Sequence, residues 1–357
     1  MNILYLMDDF LIDNNSSIVQ KIKGKAFKWE EDGHFVYYLS LKTMAIYDFD
    51  ENILFQGEGC SISFGKIGKL INLLYSFYQS SNLLKKIEID LVYMRYIKYA
   101  PFFGALLSRY KVCMEINGDD KLEARLRSNL VYYYICLTEN LVLKNVDAFI
   151  PVSYELEEKY KRFDRSSLVI GNGINVSNYH VIELNNKVPE LVFVSSPNQP
   201  WQGFDKILKM AKYFHNWNFN IIGIDGDSKG NVKYFGYMSN KDATEIIQKC
   251  DVGIGTLSSY VNGLDEASPL KTRHYLACGL PVIYAYKDTD LDDNLDFTLR
   301  LENKIDNINF KIIERFVQRV FGDNCLRYRA RKEAEDTLNS NLKESQRLNF
   351  FNKIINS

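Results

Sequence analysis

The sequence has no Cys-x-x-Cys pair, only 4 His in 357 residues, and no Gly-x-Ser-x-Gly elbow or Walker loop. The four histidines, His34, His180, His215 and His274, stand far apart, so no zinc signature is present and hydrolases of the elbow type and P-loop enzymes are disfavoured. No apolar run approaches the roughly 18 residues a membrane span requires. The apolar stretch Met1 to Phe10 reaches Asp8 and Asp9 without a basic start or a small-residue cleavage site, and so does not read as a signal peptide. Excess charge is absent too. Lys+Arg total 44 against 45 Asp+Glu, and residues 1–180 carry 21 basic and 22 acidic side chains, which leaves 23 of each for the rest. A nucleic-acid partner therefore has no electrostatic support, and an anionic ligand must be held locally. The six cysteines, Cys60, Cys113, Cys136, Cys250, Cys278 and Cys325, are scattered, with Cys113 and Cys136 in core-like apolar runs. They read as reduced thiols of a cytoplasmic protein.

What is present is alternation. Short β-branched or apolar runs separated by helical patterns continue along the chain, which predicts βαβ units and parallel sheets of an α/β protein. The first unit is a strand Asn2 to Met7, a polar loop Asp8 to Asn15, a helix from Ser17 to Asp32 capped by Ser16 or Ser17 and ended by Gly33, and a strand His34 to Leu39. Further strands are expected at Leu91 to Met94, Val112 to Ile116, Ala148 to Val152 and Leu168 to Ile170. A break at Gly171-Asn172-Gly173 and the polar stretch Glu183 to Pro189 precede strand Leu191 to Val194 and a second alternating half. Domains are expected at 1–182 and 183–339, each doubly wound and Rossmann-like, facing across a cleft at the carboxyl ends of their strands. Beyond Ile305 one long interrupted helix is expected, and a terminal stretch at about 340–357 can pack back on the first domain.

The most informative stretch runs from Gly263 to Pro281. Ser268 is an N-cap candidate, Pro269 fits the first helical position, and Gly279 with Pro281 marks the stop. The free N–H groups of such a helix suit phosphates, Glu266 just before it can accept hydrogen bonds from sugar hydroxyls, and Lys271 and Arg273 add positive charge. A plain amphipathic helix with a good cap would look the same.

This stretch resembles the donor-binding signature of family four of the retaining glycosyltransferases, which have the GT-B fold and transfer a sugar from a nucleotide-sugar donor. Members show Glu-x7-Glu and then a helix ending Ala-x-Gly-x-Pro-Val-Ile; here Glu266 precedes Ala277-Cys278-Gly279-Leu280-Pro281-Val282-Ile283, with the Ser-Pro-Leu-Lys variant of polysaccharide-assembly members at Ser268 to Lys271. The second Glu position is His274, so the carboxylate that holds the ribose in the family is replaced by an imidazole. Pro200-Trp201-Gln202-Gly203 occupies the place of the family's Lys-Gly loop and lacks its Lys. Gly236-Tyr237-Met238 resembles the segment whose backbone meets the nucleobase. The resemblance thus implies a donor site at Asn198, Trp201, Gln202, Tyr237, Met238, Ala267, Ser268, Pro269, Leu270, Arg273 and His274, with Glu266 and Lys271 catalytic. Trp201 serves equally as a core aromatic.

On the first domain, Tyr93-Met94-Arg95-Tyr96 and Met114-Glu115-Ile116-Asn117-Gly118 follow strands and resemble acceptor-side loops. Arg95 would pair with an acceptor phosphate, and Glu115 or Asn117 would meet an acceptor hydroxyl or the developing charge. Asp8 and Asp9 lie at the same side of the expected sheet. Each reads equally as a structural polar group at a strand end. Asp225-Gly226-Asp227 reads as a turn and not as a metal-binding Asp-x-Asp. The stretch Phe64 to Lys86, apolar on one side with lysines at both ends, is expected as an amphipathic helix, either packed on the sheet or resting on an anionic membrane surface.

The expectation is a metal-independent retaining transferase, without cofactor, that moves a sugar from a UDP- or GDP-sugar to a saccharide or lipid-linked saccharide. His274 and Gln202 keep open a GT-B-like binding or scaffold subunit that has lost catalysis, and a sugar-nucleotide epimerase is a third reading.

Overall fold

The structure, a computed structural model, describes residues 1–8, 17–58, 65–306 and 308–357. Asp9, the Ser16 cap, Cys60 and Phe64 lie outside the described residues, as do the side chains of Ser17, Lys66 and Lys69. The chain divides into two compact units: Met1–Ile170 together with Glu344–Ser357, and Gly171–Lys343.

The first unit is built on eight strands: β1 (Asn2–Met7), β2 (Phe35–Ser40), β3 (Ala45–Tyr47), β4 (Ile53–Gln56), β5 (Leu91–Arg95), β6 (Lys111–Ile116), β7 (Ala148–Pro151) and β8 (Ser166–Ser167), in the order β4-β3-β2-β1-β5-β6-β7-β8. From β2 to β8 all neighbours are parallel, and the central strands are buried along nearly their whole length, which is why they read as continuous apolar runs. β3 and β4 add an antiparallel edge that the alternation did not announce. Their strands are three and four residues long and turn through left-handed backbone at Met44 and Glu51. The core of this unit includes Trp29, packed with Tyr5, Tyr93 and Phe351 at centroid distances of 6.3, 5.5 and 5.6 Å.

The second unit holds β9 (Glu190–Val194), β10 (Asn218–Ile222), β11 (Val232–Tyr234), β12 (Val252–Ile254), β14 (Val282–Tyr284) and β16 (Thr298–Arg300), all parallel in the order β11-β10-β9-β12-β14-β16. A separate two-stranded ladder joins β13 (Glu266–Ala267) to β15 (Lys287–Asp288). Helices Phe204–Tyr213, Asn240–Gln248 and Leu270–Ala277 supply the crossovers.

Three expectations need correction. The units part at Gly171 rather than at 183, because residues after Ile170 pack on the second unit: Ile174 N–H donates to Leu338 O at 2.8 Å and Val176 enters the second core. Only Ser166–Ser167 forms a strand at the end of the first sheet, although Leu168 and Ile170 N–H still donate to Phe149 and Pro151 carbonyls. The single helix beyond Ile305 is three, Phe310–Val320, Asn324–Thr337 and Ser340–Ile355. Gly322 at φ 74° ends the first of these, and Asp323 caps the second by accepting from Leu326 N–H.

Candidate functional site

In the second unit the strand order reverses between β9 and β12, which places the crevice of an open α/β sheet over the loops that leave their carboxyl ends. Those loops are 195–203 and 255–268. They are fastened to each other: Leu257 and Ser258 N–H donate to Gln202 and Trp201 carbonyls at 3.2 and 3.1 Å. Gly203, at φ 77°, sits where a Cβ would come within 2.9 Å of Leu257 and Ser258, so this approach requires glycine.

Helix Leu270–Ala277 rises from this floor, with Pro269 at its N-cap position and, among the described residues, no side chain capping its first N–H groups. Ser268 is not the cap. Its hydroxyl accepts from Asn172 N–H at 2.6 Å, and its carbonyl accepts from Asn172 Nδ2 at 2.5 Å. The uncapped helix start keeps its partial positive charge for an anion. Lys271 stands beside it. Its ammonium donates to Gln202 Oε1, lies 4.4 Å from the Phe193 ring centre, and is brought down to about 7 by burial. Among the described residues no carboxylate pairs with it. Gln202, the departure from the family pattern, thus holds the helix lysine, and its own amide donates to Gln199 Oε1 at 2.5 Å. Glu266, buried at the start of β13, is held in register opposite Lys287 of β15. Ala267, Pro269 and Leu270 are half-buried around the helix start, and Trp201 is half-buried in the adjoining turn.

Arg273 takes a different place from the one expected. It is fully buried, its guanidinium bonds Asp288 through both terminal nitrogens and Asp290 at 2.7 Å, and Nε donates to the Asn172 carbonyl at 3.1 Å. Burial opposes the charge, but Asp288 and Asp290 hold the group above its ordinary high range. It adds no free cation to the crevice and instead ties the helix to the segment after Gly171. His274 is neutral: burial pushes it down to about 4. Its Nε2 lies 3.0 Å from Thr244 Oγ1 and its ring 4.7 Å from that of Tyr179. Asn198 is exposed in left-handed backbone, Tyr237 is 70% exposed, and Met238 packs at the edge of the core. Among the described residues no group of three or more His, Cys, Asp or Glu could hold a metal ion.

In the first unit the order reverses between β1 and β5, and here lies a cavity of about 240 Å³ lined by Asp8, Arg95, Tyr96, Glu115, Asn117, Asp120 and Glu123, among others. Glu115 Oε1 accepts from Lys21 at 2.8 Å and Lys25 at 2.6 Å, and Lys21 also donates to Asn117 Oδ1 at 2.8 Å. Burial alone would raise the Glu115 carboxyl, but the charges of Lys21, Lys25, Arg347 and Arg95 hold it well below the usual range. Lys25 is depressed in turn by its own burial and by Arg347. Arg347 donates to Tyr93 Oη at 2.9 Å and pairs with Glu344 at 2.9 Å.

Sequence reading did not select Lys21, Lys25, Arg347, Asp120 or Glu123. The one available signal was a lysine pair spaced i, i+4 on an otherwise buried helix face. Asp120 follows the capping Asp119, and its burial and the nearby Glu123 charge raise it to about 7.

No protein-family model matches the chain, and no curated protein matches it in sequence. Solved structures do match in shape. Sucrose-phosphate synthase from Thermosynechococcus elongatus superposes at TM-score 0.72 with 13% identity, covering 99% of this chain and 98% of that one. A glycosyltransferase from Rickettsia africae matches at 0.68 with 15% identity over 99% and 98%. HepE of Anabaena, in complex with UDP and glucose, matches at 0.68 with 13% identity over 99% and 100%. The chain has the GT-B fold of these glycosyltransferases.

Proposed function

We propose that this chain is a retaining, metal-independent glycosyltransferase of the family-four type that moves a sugar from a UDP- or GDP-sugar to a saccharide or lipid-linked saccharide. The observation that carries this reading is the helix start at Leu270: among the described residues it is uncapped and flanked by a lysine with no carboxylate on it, and it is preceded by buried Glu266. Structures of the same fold are described with UDP and glucose and, for a starch synthase of Arabidopsis thaliana, with ADP and acarbose, which supports a nucleoside diphosphate as the anion. Glu266 orients the donor sugar, helix N–H groups and Lys271 neutralise the departing diphosphate, and an acceptor hydroxyl attacks from the same face. Positioning and electrostatic stabilisation of the leaving group supply the rate. Asn117, Arg95 and Asp8 are the acceptor-side groups, with Glu115 behind them, held by two lysines.

The test is a thermal-shift panel of UDP, GDP, CMP and their sugar conjugates, with and without EDTA, on wild type and Glu266→Ala. Stabilisation by one nucleotide family, unchanged by EDTA, supports the reading and names the donor class. A second reading, a binding subunit without catalysis, is favoured by the neutral, engaged His274 in place of a ribose-binding carboxylate. It takes first place if no nucleotide stabilises the protein at millimolar concentration. Cytoplasmic placement belongs to the same proposal. No helix of the described residues is long and apolar enough to cross a membrane.

A further inference from the structure

Helix Asn129–Leu143 of the first unit turns an uncharged face outward. Leu130 and Leu137 are 83% and 81% exposed, and Tyr133 and Tyr134 lie on the same stripe at 63% and 41%. The other exposed side chains of this helix, Asn129, Cys136 and Asn140, carry no charge, and Cys136 is thus at the surface instead of in the core. Its only carboxylate, Glu139, is buried and paired with Lys121 and Arg162. Cations stand at both ends: Arg125 and Arg127 are exposed in the last turn of the preceding helix, Asp120–Arg127, and Lys144 just beyond the last turn of this one. Tyr134 donates to the Tyr99 carbonyl at 2.5 Å, which fastens beside this face a loop with exposed Lys98 and half-exposed Phe102.

Folded chains seldom leave two leucines of one stripe this open without a use for them. We propose that this face rests on an anionic lipid surface. The leucines enter the acyl boundary, the tyrosines occupy the boundary level that suits a ring with a polar tip, and the flanking cations meet the headgroups. Charge selects lipid over a second copy of the chain. In an antiparallel pair of copies the arginine end of each helix meets the lysine end of the other, and in a parallel pair like ends meet, so both arrangements set cation against cation. The inference rests on this surface alone and is independent of the glycosyl-transfer reading.

The experiment is co-sedimentation of the full chain with vesicles of phosphatidylcholine alone or with phosphatidylglycerol at about one part in three. Wild type is expected to sediment with the anionic vesicles only, and less at high salt. The variant Leu130→Glu/Leu137→Glu, at sites too exposed to disturb the core, is expected to bind at least about tenfold more weakly with an unchanged melting temperature, and Arg125→Glu/Arg127→Glu likewise. Wild type that stays in the supernatant overturns the proposal, as does a leucine variant that binds as well as wild type. Sedimentation velocity closes the remaining case: a dimer that the leucine variant disperses, without vesicle binding, assigns the face to self-association and overturns it too.

Discussion

The two units treat their enclosed cations differently. In the first, Lys21, Lys25 and Arg347 converge on Glu115, Tyr93 and Glu344, and the cluster closes on itself. In the second, two cations stand two residues apart on one helix. Arg273 is saturated by Asp288 and Asp290, while among the described residues Lys271 has the carboxamide of Gln202 and the Phe193 ring but no carboxylate. A buried cation with carboxylates on it is part of the architecture, because its charge is already answered. One that burial has driven toward neutrality has its charge unanswered, and under the proposed function an arriving diphosphate restores its proton. The difference between Lys271 and Arg273, rather than the number of basic residues, distinguishes the candidate donor crevice from the scaffold beneath it.

That contrast can be broken at several points. The largest effect is expected from Glu266→Ala: transfer falls by at least about a thousandfold, near 4 kcal/mol in transition-state stabilisation, with an unchanged melting curve. Turnover close to wild type in a donor and acceptor assay would remove Glu266 from the mechanism. Next comes Arg273→Met, which leaves buried Asp288 without its cation, while half-buried Asp290 keeps Lys343. It should lower stability by roughly 3–5 kcal/mol in urea unfolding, and Arg273→Met with Asp288→Asn should recover part of the loss. If the single variant is as stable as wild type, Arg273 is not the architectural half of the pair.

Lys271 makes a smaller, pH-dependent prediction. Its free-state value of about 7 means that below pH 7 the ammonium is already charged when nucleotide arrives, whereas above it binding must take up a proton. Affinity for a nucleoside diphosphate should therefore weaken by up to about tenfold per pH unit above 7, and Lys271→Met should flatten that slope in titration calorimetry. A slope that persists in the variant points to another group. The smallest effect is expected from Thr244→Val, which deprives His274 of its hydroxyl partner at a cost of about 1 kcal/mol in stability or nucleotide affinity.

Much of this fold was legible because parallel strands buried on both faces are written as apolar runs: β1, β5, β6 and β9 lie where those runs predicted them. The β3–β4 edge was not, since strands of three and four residues carry too little periodicity. Local chemistry misled at Ser268, a good capping residue whose hydroxyl is claimed by Asn172, 96 residues earlier in the chain. Arg273 looked like a phosphate ligand because its neutralising carboxylates come 15 and 17 positions later, with no spacing to connect them. The cluster about Glu115 was hidden for the same reason, with Arg347 more than two hundred positions from the strand it serves.

The return of the chain to the first unit has a consequence for biosynthesis. The second unit is one contiguous stretch, Gly171–Lys343, whereas the first needs Glu344–Ser357 to place Phe351 in its core, Glu344 on the Trp29 indole at 3.0 Å, and Arg347 on Tyr93. During translation the first half to emerge from the ribosome therefore stays with Trp29 and Tyr93 incompletely covered until Glu344–Ser357 has been made. An arrest of translation before Glu344 thus leaves a chain whose N-terminal portion is the part exposed to chaperones and proteases.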